Sequence, residues 1–205
     1  MASHQGRTPR TKRTDRDAGD VPGAEGARHG QDSAADPETK ARQICLRLLT
    51  LAPRTRSQLA SALRDRGVPD DAAHAVLDRF ADVGLINDAA FARAWVESRH
   101  YSRGLAGRAL RAELRQRGVD DDQIRDAIED LGPDAEVATA RRLVEQKLAS
   151  TRGLPSEARI RRLAGTLARK GYPPGLSFRV VREALEAEGA QVEESCFGDL
   201  DTYTD

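Results

Sequence analysis

The fold of this chain is decided by the stretch Leu110-Arg-Ala-Glu-Leu114-Arg-Gln-Arg-Gly118-Val119. Its two leucines lie one turn apart on one helix face, and Arg117 stands in the last turn, where a cation complements the helix dipole. Gly118 follows at the position that usually requires a left-handed backbone, and Val119 can fold back onto the helix end. The stretch therefore predicts the second half of an amphipathic helix that ends at a glycine.

The same pattern occurs three times in the sequence. It runs from Leu59 to Val68 before the central stretch and from Leu163 to Tyr172 after it. In each copy two leucines stand four residues apart, and a glycine follows eight residues after the first leucine. The three glycines are separated by 51 and 53 residues. A period of about 50 residues indicates tandem supersecondary units, each too small to bury a sizeable core alone.

Further helix signals surround each copy of the pattern. Ile44, Leu48 and Leu51 form one apolar face before the first copy, and Thr55 with Gln58 is a capping-box pattern that opens it. Alanine, leucine, arginine and glutamate dominate the composition, which favours helix over strand. The other expected apolar faces are Val76, Phe80 and Val83; Phe91 and Trp95; Ile124, Ile128 and Leu131; Val144 and Leu148; and Phe178, Val181 and Leu185.

The sequence predicts an all-α protein of three tandem three-helix repeats that form an elongated, curved helical array. The N-terminal end has almost nothing apolar to bury, and the C-terminal end is acidic and loosely patterned, so we expect disordered N-terminal and C-terminal tails. The expected segments are a tail over 1–38, repeats over 39–86, 87–133 and 134–188, and an acidic tail over 189–205.

Charge is distributed unevenly along the chain, although the formal net charge is zero. Residues 39–185 hold 27 basic and 19 acidic side chains, a net charge of +8, whereas residues 186–205 hold seven acidic and no basic side chains. A basic helical body indicates a polyanionic or acidic partner.

Several classes of protein and site are not expected. No apolar run approaches the roughly 20 residues of a membrane span, and no signal-peptide core is present at the start. Cys45 and Cys196 lack metal-ligand spacing, and a packed, unreactive Cys45 fits a cytoplasmic protein. The three aspartates from Asp120 to Asp122 are interpreted as the start of a helix. Since no catalytic or phosphate-binding motif is present, we expect no enzyme activity, no cofactor and no metal.

Arginine is the residue type that carries the functional prediction, with 29 arginines against four lysines. Spacings of three and four residues place Arg108, Arg111 and Arg115 in a stripe on the central helix. A guanidinium group can bind two oxygens of a phosphate or carboxylate at once, although such a stripe can also be a solvated helix face. The candidate contact residues are Arg99, Arg103, Arg108, Arg111, Arg115, Arg162 and Arg169.

The repeat motifs resemble those of the bacterial RecX regulatory proteins. The resemblance rests on residues 66–69 (RGVP), on residues 85–95 (LINDAAFARAW), which are the most specific part, and on residues 117–120 (RGVD). It covers residues 40–187. It implies a non-enzymatic, monomeric modulator that binds the RecA filament on single-stranded DNA and restrains RecA activity in DNA repair and the SOS response. The sequence leaves open whether the contacts are to RecA or directly to DNA, and whether the outcome is inhibition, disassembly or assistance.

A helix-turn-helix transcription regulator is one alternative, and a helical scaffold for some other protein is a second that the pattern leaves open. Thr55 to Ile86 has the pattern of a winged-helix core, with residues 71–83 as the recognition helix. A β-hairpin wing should then follow Ile86. The sequence instead shows a capped helix after Asn87, and the pattern returns twice more, which favours the first interpretation.

Overall fold

The computed structural model describes residues 36–189, and these residues form nine α-helices and no β-strand. The all-α prediction is confirmed for this part of the chain, whereas the two expected tails lie largely outside it. A short 3-10 turn, Ala149–Thr151, follows the seventh helix. The helices are α1 (Pro37–Leu51), α2 (Arg56–Arg64), α3 (Asp70–Asp82), α4 (Asp88–Arg103), α5 (Gly107–Gln116), α6 (Asp121–Glu129), α7 (Pro133–Leu148), α8 (Ser156–Ala168) and α9 (Pro174–Ala187).

Each group of three consecutive helices packs around its own apolar core. Leu59, Leu63 and Leu77 are fully buried in the core of α1–α3. The core of α4–α6 contains Leu110 and Leu114, the two leucines of the central stretch. The core of α7–α9 contains Leu167, Val181 and Leu185, all fully buried, together with Tyr172, and Ala106 from the start of α5 joins it. The leucine pattern of the sequence therefore supplies the centre of every unit.

Helix ends follow the local signals of the sequence. Thr55 and Gln58 form the complete capping box at the start of α2. The carbonyl of Leu114 accepts a 3.2 Å hydrogen bond from the amide of Val119, and Gly118 has a φ of +71° between them. The predicted left-handed stop at Gly118 is confirmed, because this backbone closure is the usual end of a helix at a glycine.

Two apolar positions that the helical pattern assigned to buried faces are exposed. Leu51 is 75% exposed and Val83 is 63% exposed. Leu51 is the last residue of α1, and the chain is already extended at Ala52. Val83 is the cap residue after α3. The helical periodicity wrongly predicted that both side chains are buried. Each stands at the end of its helix, where no neighbouring helix covers it.

The turn that ends α5 lies against the start of α2. The hydroxyl of Thr55 donates a 2.6 Å hydrogen bond to the carbonyl of Arg117. The amide of Arg56 donates a 2.9 Å hydrogen bond to the carboxylate of Asp88, whose pKa is raised by partial burial. A Cβ atom placed on Gly118 would lie 2.2 Å from the Oγ of Ser57. This glycine is therefore required by packing as well as by its backbone conformation.

The second and third units meet through the same arrangement. The amide of Ala106 donates a 2.9 Å hydrogen bond to the carbonyl of Lys170, and the amide of Gly107 donates a 2.6 Å hydrogen bond to Glu136. A Cβ atom on Gly171 would lie 2.6 Å from the backbone nitrogen of Ala109. In both junctions, the glycine turn of one unit therefore packs on the first turn of the second helix of the preceding unit.

The end of α9 is held by two arginines. Glu188 accepts hydrogen bonds from the buried Arg159 and, at 2.7 Å, from Arg152. Arg159 also donates from Nε to the hydroxyl of Thr151 at 3.2 Å. These contacts fix the point at which the chain leaves the helical body, because Glu188 directly follows the last helix.

Glu188→Gln is expected to lower the free energy of unfolding at neutral pH, by an amount that shrinks in acid. Hydrogen bonds from Arg159 and then Arg152 hold the pKa of Glu188 below its ordinary value. A carboxylate with a lowered folded-state pKa stabilises the fold above its unfolded pKa and loses this contribution as the pH falls through the folded pKa. The difference between the two unfolding free energies should therefore begin to shrink below about pH 4 and vanish once the pH lies below the folded pKa of Glu188. A difference that stays constant from neutral pH to about pH 3 would contradict this role.

Candidate anion-binding cleft

The junction between the second and third units opens into a cleft of about 630 Å³. Its walls are the end of α4 with the residues that follow it, the middle of α7, and the end of α8. Four of its lining side chains are cationic, and together they define the basic cleft: Arg103, Arg142, Arg169 and Lys170. The other lining residues are Tyr101, Ser102, Gly104, Leu105, Leu143, Gln146 and Thr166.

The end of α4 is held closely against α7 and α8. Gly104 ends the helix in the left-handed conformation, and a Cβ atom there would lie 3.0 Å from the side chain of Leu143. Lys170 donates a hydrogen bond from its ammonium group to the carbonyl of Arg103. These contacts bring basic side chains from three helices to the same opening. Arg103 comes from α4, Arg142 comes from α7, and the end of α8 supplies Arg169 and Lys170.

A buried histidine supports this wall of the cleft. His100 lies 2.9 Å from the carbonyl of Leu105 through Nδ1 and 2.8 Å from the hydroxyl of Thr139 through Nε2. Because the carbonyl can only accept, Nδ1 carries a proton and donates to it, while Nε2 is hydrogen-bonded to the hydroxyl. Both ring nitrogens are thus satisfied inside the protein, and the ring links α4 to α7 without facing the cleft.

The ion pairs among the described residues do not include the cations of the basic cleft. Within residues 36–189, no acidic side chain forms an ion pair with Arg103, Arg142, Arg169 or Lys170. Arg103 and Arg169 stand at helix C-termini, where cations also complement the helix dipole. Arg142 stands in the middle of α7 and has no such role. The cleft can therefore bind phosphates or carboxylates, with the guanidinium groups donating two hydrogen bonds each.

The candidate arginines of the sequence fall into separate environments. Arg103 and Arg169 come together in the basic cleft. Arg108 and Arg111 line a neighbouring opening of about 500 Å³, the mixed cleft, together with two acidic residues, Glu129 and Glu136. Arg162 is exposed on α8 and lines neither opening.

Two other candidates have partners within the protein. Arg115 forms a 2.7 Å ion pair with Asp121, and its hydrogen bond holds the pKa of that carboxyl below its ordinary value. The guanidinium of Arg99 lies 4.1 Å from the centre of the Trp95 ring, and its Nε is 3.7 Å from the carboxylate of Glu113. The stripe of Arg108, Arg111 and Arg115 is therefore divided, since its last member already has an acidic partner.

Trp95 has the surroundings of a packing residue. The Trp95 ring stacks on the Phe91 ring with 5.7 Å between the ring centres. The guanidinium of Arg117 lies 3.7 Å from the centre of the Trp95 ring. Its indole nitrogen donates a 2.8 Å hydrogen bond to Glu113. Two stacked cations and a satisfied donor hold this ring in place.

Three cleft residues were missed by sequence reasoning: Tyr101, Arg142 and Lys170. Arg142 follows Arg141 directly, but Arg141 pairs with Glu183 on α9 whereas Arg142 faces the cleft. Helical periodicity separates the directions of two adjacent residues but does not say which neighbour each one meets. Lys170 directly precedes the glycine of the third repeat. This position was a usable signal, because the corresponding residues of the other repeats also lie at helix ends.

Comparison with known proteins follows the three-unit division of the helices. Family models described as the first, second and third three-helix domains of RecX match residues 41–80, 87–128 and 134–181. The regulatory protein RecX of Thermobifida fusca is 59% identical over 171 residues, which are 83% of this chain and 92% of the relative. The regulatory protein RecX of Streptomyces coelicolor is 60% identical over 158 residues, which are 77% of this chain and 84% of the relative.

A solved structure shares the fold at lower sequence identity. The crystal structure of RecX from Lactobacillus salivarius superposes with a TM-score of 0.69 at 21% identity. The matched region covers 73% of this chain and 97% of that chain. No helix among residues 36–189 has the length and apolar character needed to cross a membrane.

Proposed function

Because the chain belongs to the RecX family of regulatory proteins, we propose that it binds the RecA filament on single-stranded DNA and restrains RecA activity. The activities concerned are ATP hydrolysis, strand exchange and co-protease activity in DNA repair and the SOS response. The protein would act in the cytoplasm as a monomer and by binding alone. The observation that carries the proposal is the basic cleft, whose four cations have no acidic partner within residues 36–189.

The chemistry of the cleft fits a filament partner. A RecA–DNA filament presents phosphates of the DNA and carboxylates of the protein in a repeating array, and the guanidinium fork binds either group. Arg108 and Arg111 in the mixed cleft supply further cations on the central helix. Several modest contacts made at once add up to useful affinity, because every contact after the first is intramolecular.

The helix-turn-helix alternative is less well supported by the structure. A wing should follow Ile86, but α4 begins at Asp88, capped by a 2.8 Å hydrogen bond from the amide of Ala90 to Asn87. Within the described residues, no strand accompanies α3, the helix that would be the recognition helix. This observation favours filament binding over sequence-specific duplex binding.

The test compares RecA filaments with bare duplexes of different sequence as partners for the fluorescently labelled full chain. We expect saturable binding to filaments of the cognate RecA on single-stranded DNA, and weaker binding to bare duplexes with little dependence on their sequence. Strong preference for one duplex sequence would support the transcription-regulator alternative. Failure to bind the filaments would refute the proposal.

A further inference from the structure

The acidic C-terminal segment of this chain is complementary to the basic cleft. We propose that residues 190–205 dock in the basic cleft when no partner is bound. The docking itself depends only on this chain, whereas its consequence for a filament rests on the proposed function.

Charge is the first argument for this occupant. Residues 190–205 contain five acidic side chains and no basic ones. The cleft presents three guanidinium groups and one ammonium group, and no ion pair within residues 36–189 occupies them. Carboxylates and guanidinium groups form charge-assisted hydrogen bonds that are stronger than neutral ones. The segment therefore carries the ligand groups that the cleft lacks.

Apolar character is the second argument. Tyr101 is 64% exposed beside the cleft, and Leu105 and Leu143 also line it. In the acidic segment, Phe197 and Leu200 stand three residues apart among the carboxylates. A partner with both acids and apolar groups can cover the exposed tyrosine as well as neutralise the cations. A purely polar segment would leave this apolar wall in water.

Reach is the third argument. The contacts of Glu188 with Arg159 fix where the segment starts. Arg169 follows Arg159 by ten residues, at the end of α8. Ten helical residues rise about 15 Å, so this is the distance from Arg159 to Arg169 along the helix. Sixteen extended residues span up to about 53 Å, so roughly five of them cover the distance. The acids from Glu193 onward can therefore reach the cleft without any rearrangement of α9.

Docking would regulate the cleft by competition. A tethered segment acts at an effective concentration on the order of millimolar, so even weak ionic contacts keep the cleft largely covered. A polyanion that binds the same cations must displace the segment. Affinity for DNA phosphates or for a filament should then rise when the segment is neutralised, and this gain should disappear at high salt, where both competitors are weakened.

The direct test uses a nitroxide on Cys196 in the full chain. Cys45 is fully buried and its thiol pKa is raised by that burial, so labelling should be confined to the tail, with Cys196→Ser as the check. We expect paramagnetic broadening of the amide signals of Leu105, Leu143 and Lys170 that disappears at about 0.5 M salt. The R142A/R169A variant should lose the same broadening. Broadening that is uniform, or insensitive to salt and to this variant, would overturn the proposal.

A second measurement follows the consequence for binding. The E193Q/E194Q/D199N/D201N variant should bind a single-stranded oligonucleotide about five- to tenfold more tightly than the wild type at low salt. The matched control is D15N/D17N/D20N/E25Q, which changes net charge equally at the other end of the chain, and its affinity should rise less than twofold. Equal gains in both variants would reduce the effect to net charge and would contradict docking. If neither the wild type nor the tail variant binds DNA or filaments, the proposed function fails while the nitroxide experiment still decides the docking.

Discussion

Gly171→Ala is expected to destabilise the protein by about 3 kcal/mol or more. Gly171 has a φ of +87°, which an L side chain adopts only with strain, and its Cβ would lie 2.6 Å from the backbone nitrogen of Ala109. A backbone atom in the first turn of α5 cannot move aside as a flexible side chain can. The junction between the second and third units must therefore open, and its hydrogen bond from Ala106 to Lys170 is weakened with it.

Gly67→Ala, at the equivalent position of the first repeat, is the matched control. Gly67 has a φ of +65°, but a Cβ atom there would meet no heavy atom within 4 Å. The free energy of unfolding of the Gly67→Ala variant should fall by only about 1 kcal/mol, which is the cost of an alanine in the left-handed conformation. Chemical denaturation of both variants measures the difference. Equal losses would mean that the glycine of the third repeat is required only by its backbone angle and not by the junction.

Gly118→Ala tests the first junction and allows a rescue. The obstructing atoms are the Oγ and Cβ of Ser57, at 2.2 and 2.4 Å from the added carbon. Ser57→Gly removes both atoms, so the double variant should recover most of the stability lost beyond the Gly67→Ala value. A double-mutant cycle measures this coupling. Additive losses would place the cost of Gly118→Ala elsewhere.

The units of the fold could be predicted from the sequence because their signals are local. Leu110, Leu114 and Gly118 define a helix face and its end within nine residues, and the spacing recurs. What periodicity could not show is that Gly118 and Gly171 also carry the contacts between units. That requirement depends on Ser57 and Ala109, which lie about sixty residues away in the chain. The exposure of Leu51 and Val83 was missed for a related reason, because a helical pattern does not reveal where packing stops.

The candidate site was predicted only in part. The arginine spacing on α5 predicted one stripe; Arg108 and Arg111 line the mixed cleft, whereas Arg115 pairs with Asp121. Arg99, outside α5, lies over the Trp95 ring. The basic cleft draws on the ends of α4 and α8 and on the middle of α7, so no single stretch of sequence displays it. Its cations become a set only when the turn around Gly171 brings the third unit onto the second.

The R103A/R142A/R169A variant is expected to lose filament affinity by on the order of 100-fold at low salt. Each arginine removed deletes a contact to a phosphate or carboxylate. The slope of log affinity against log salt should become shallower by about two to three for phosphate contacts. The fold should survive, because alanine is a good helix former and all three side chains are exposed.

R47A/R64A/R79A is the matched control for this variant. It removes the same charge from the first unit, and Arg64 and Arg79 stand in last helical turns, as Arg103 and Arg169 stand at helix ends. Its filament affinity should stay within about threefold of the wild type, since distant exposed charges act only through screened fields. Equal losses in the two variants would attribute binding to overall charge. Melting curves of both proteins exclude unfolding as the cause.

The most direct measurement is the DNA-dependent ATPase rate of the cognate RecA as each of these proteins is titrated in. The wild type and R47A/R64A/R79A should inhibit hydrolysis at similar concentrations, whereas R103A/R142A/R169A should require at least about tenfold more protein. Inhibition by the folded cleft variant at the wild-type concentration would contradict the role of the basic cleft. An ATPase rate that the wild-type protein leaves unchanged would contradict the proposed function itself.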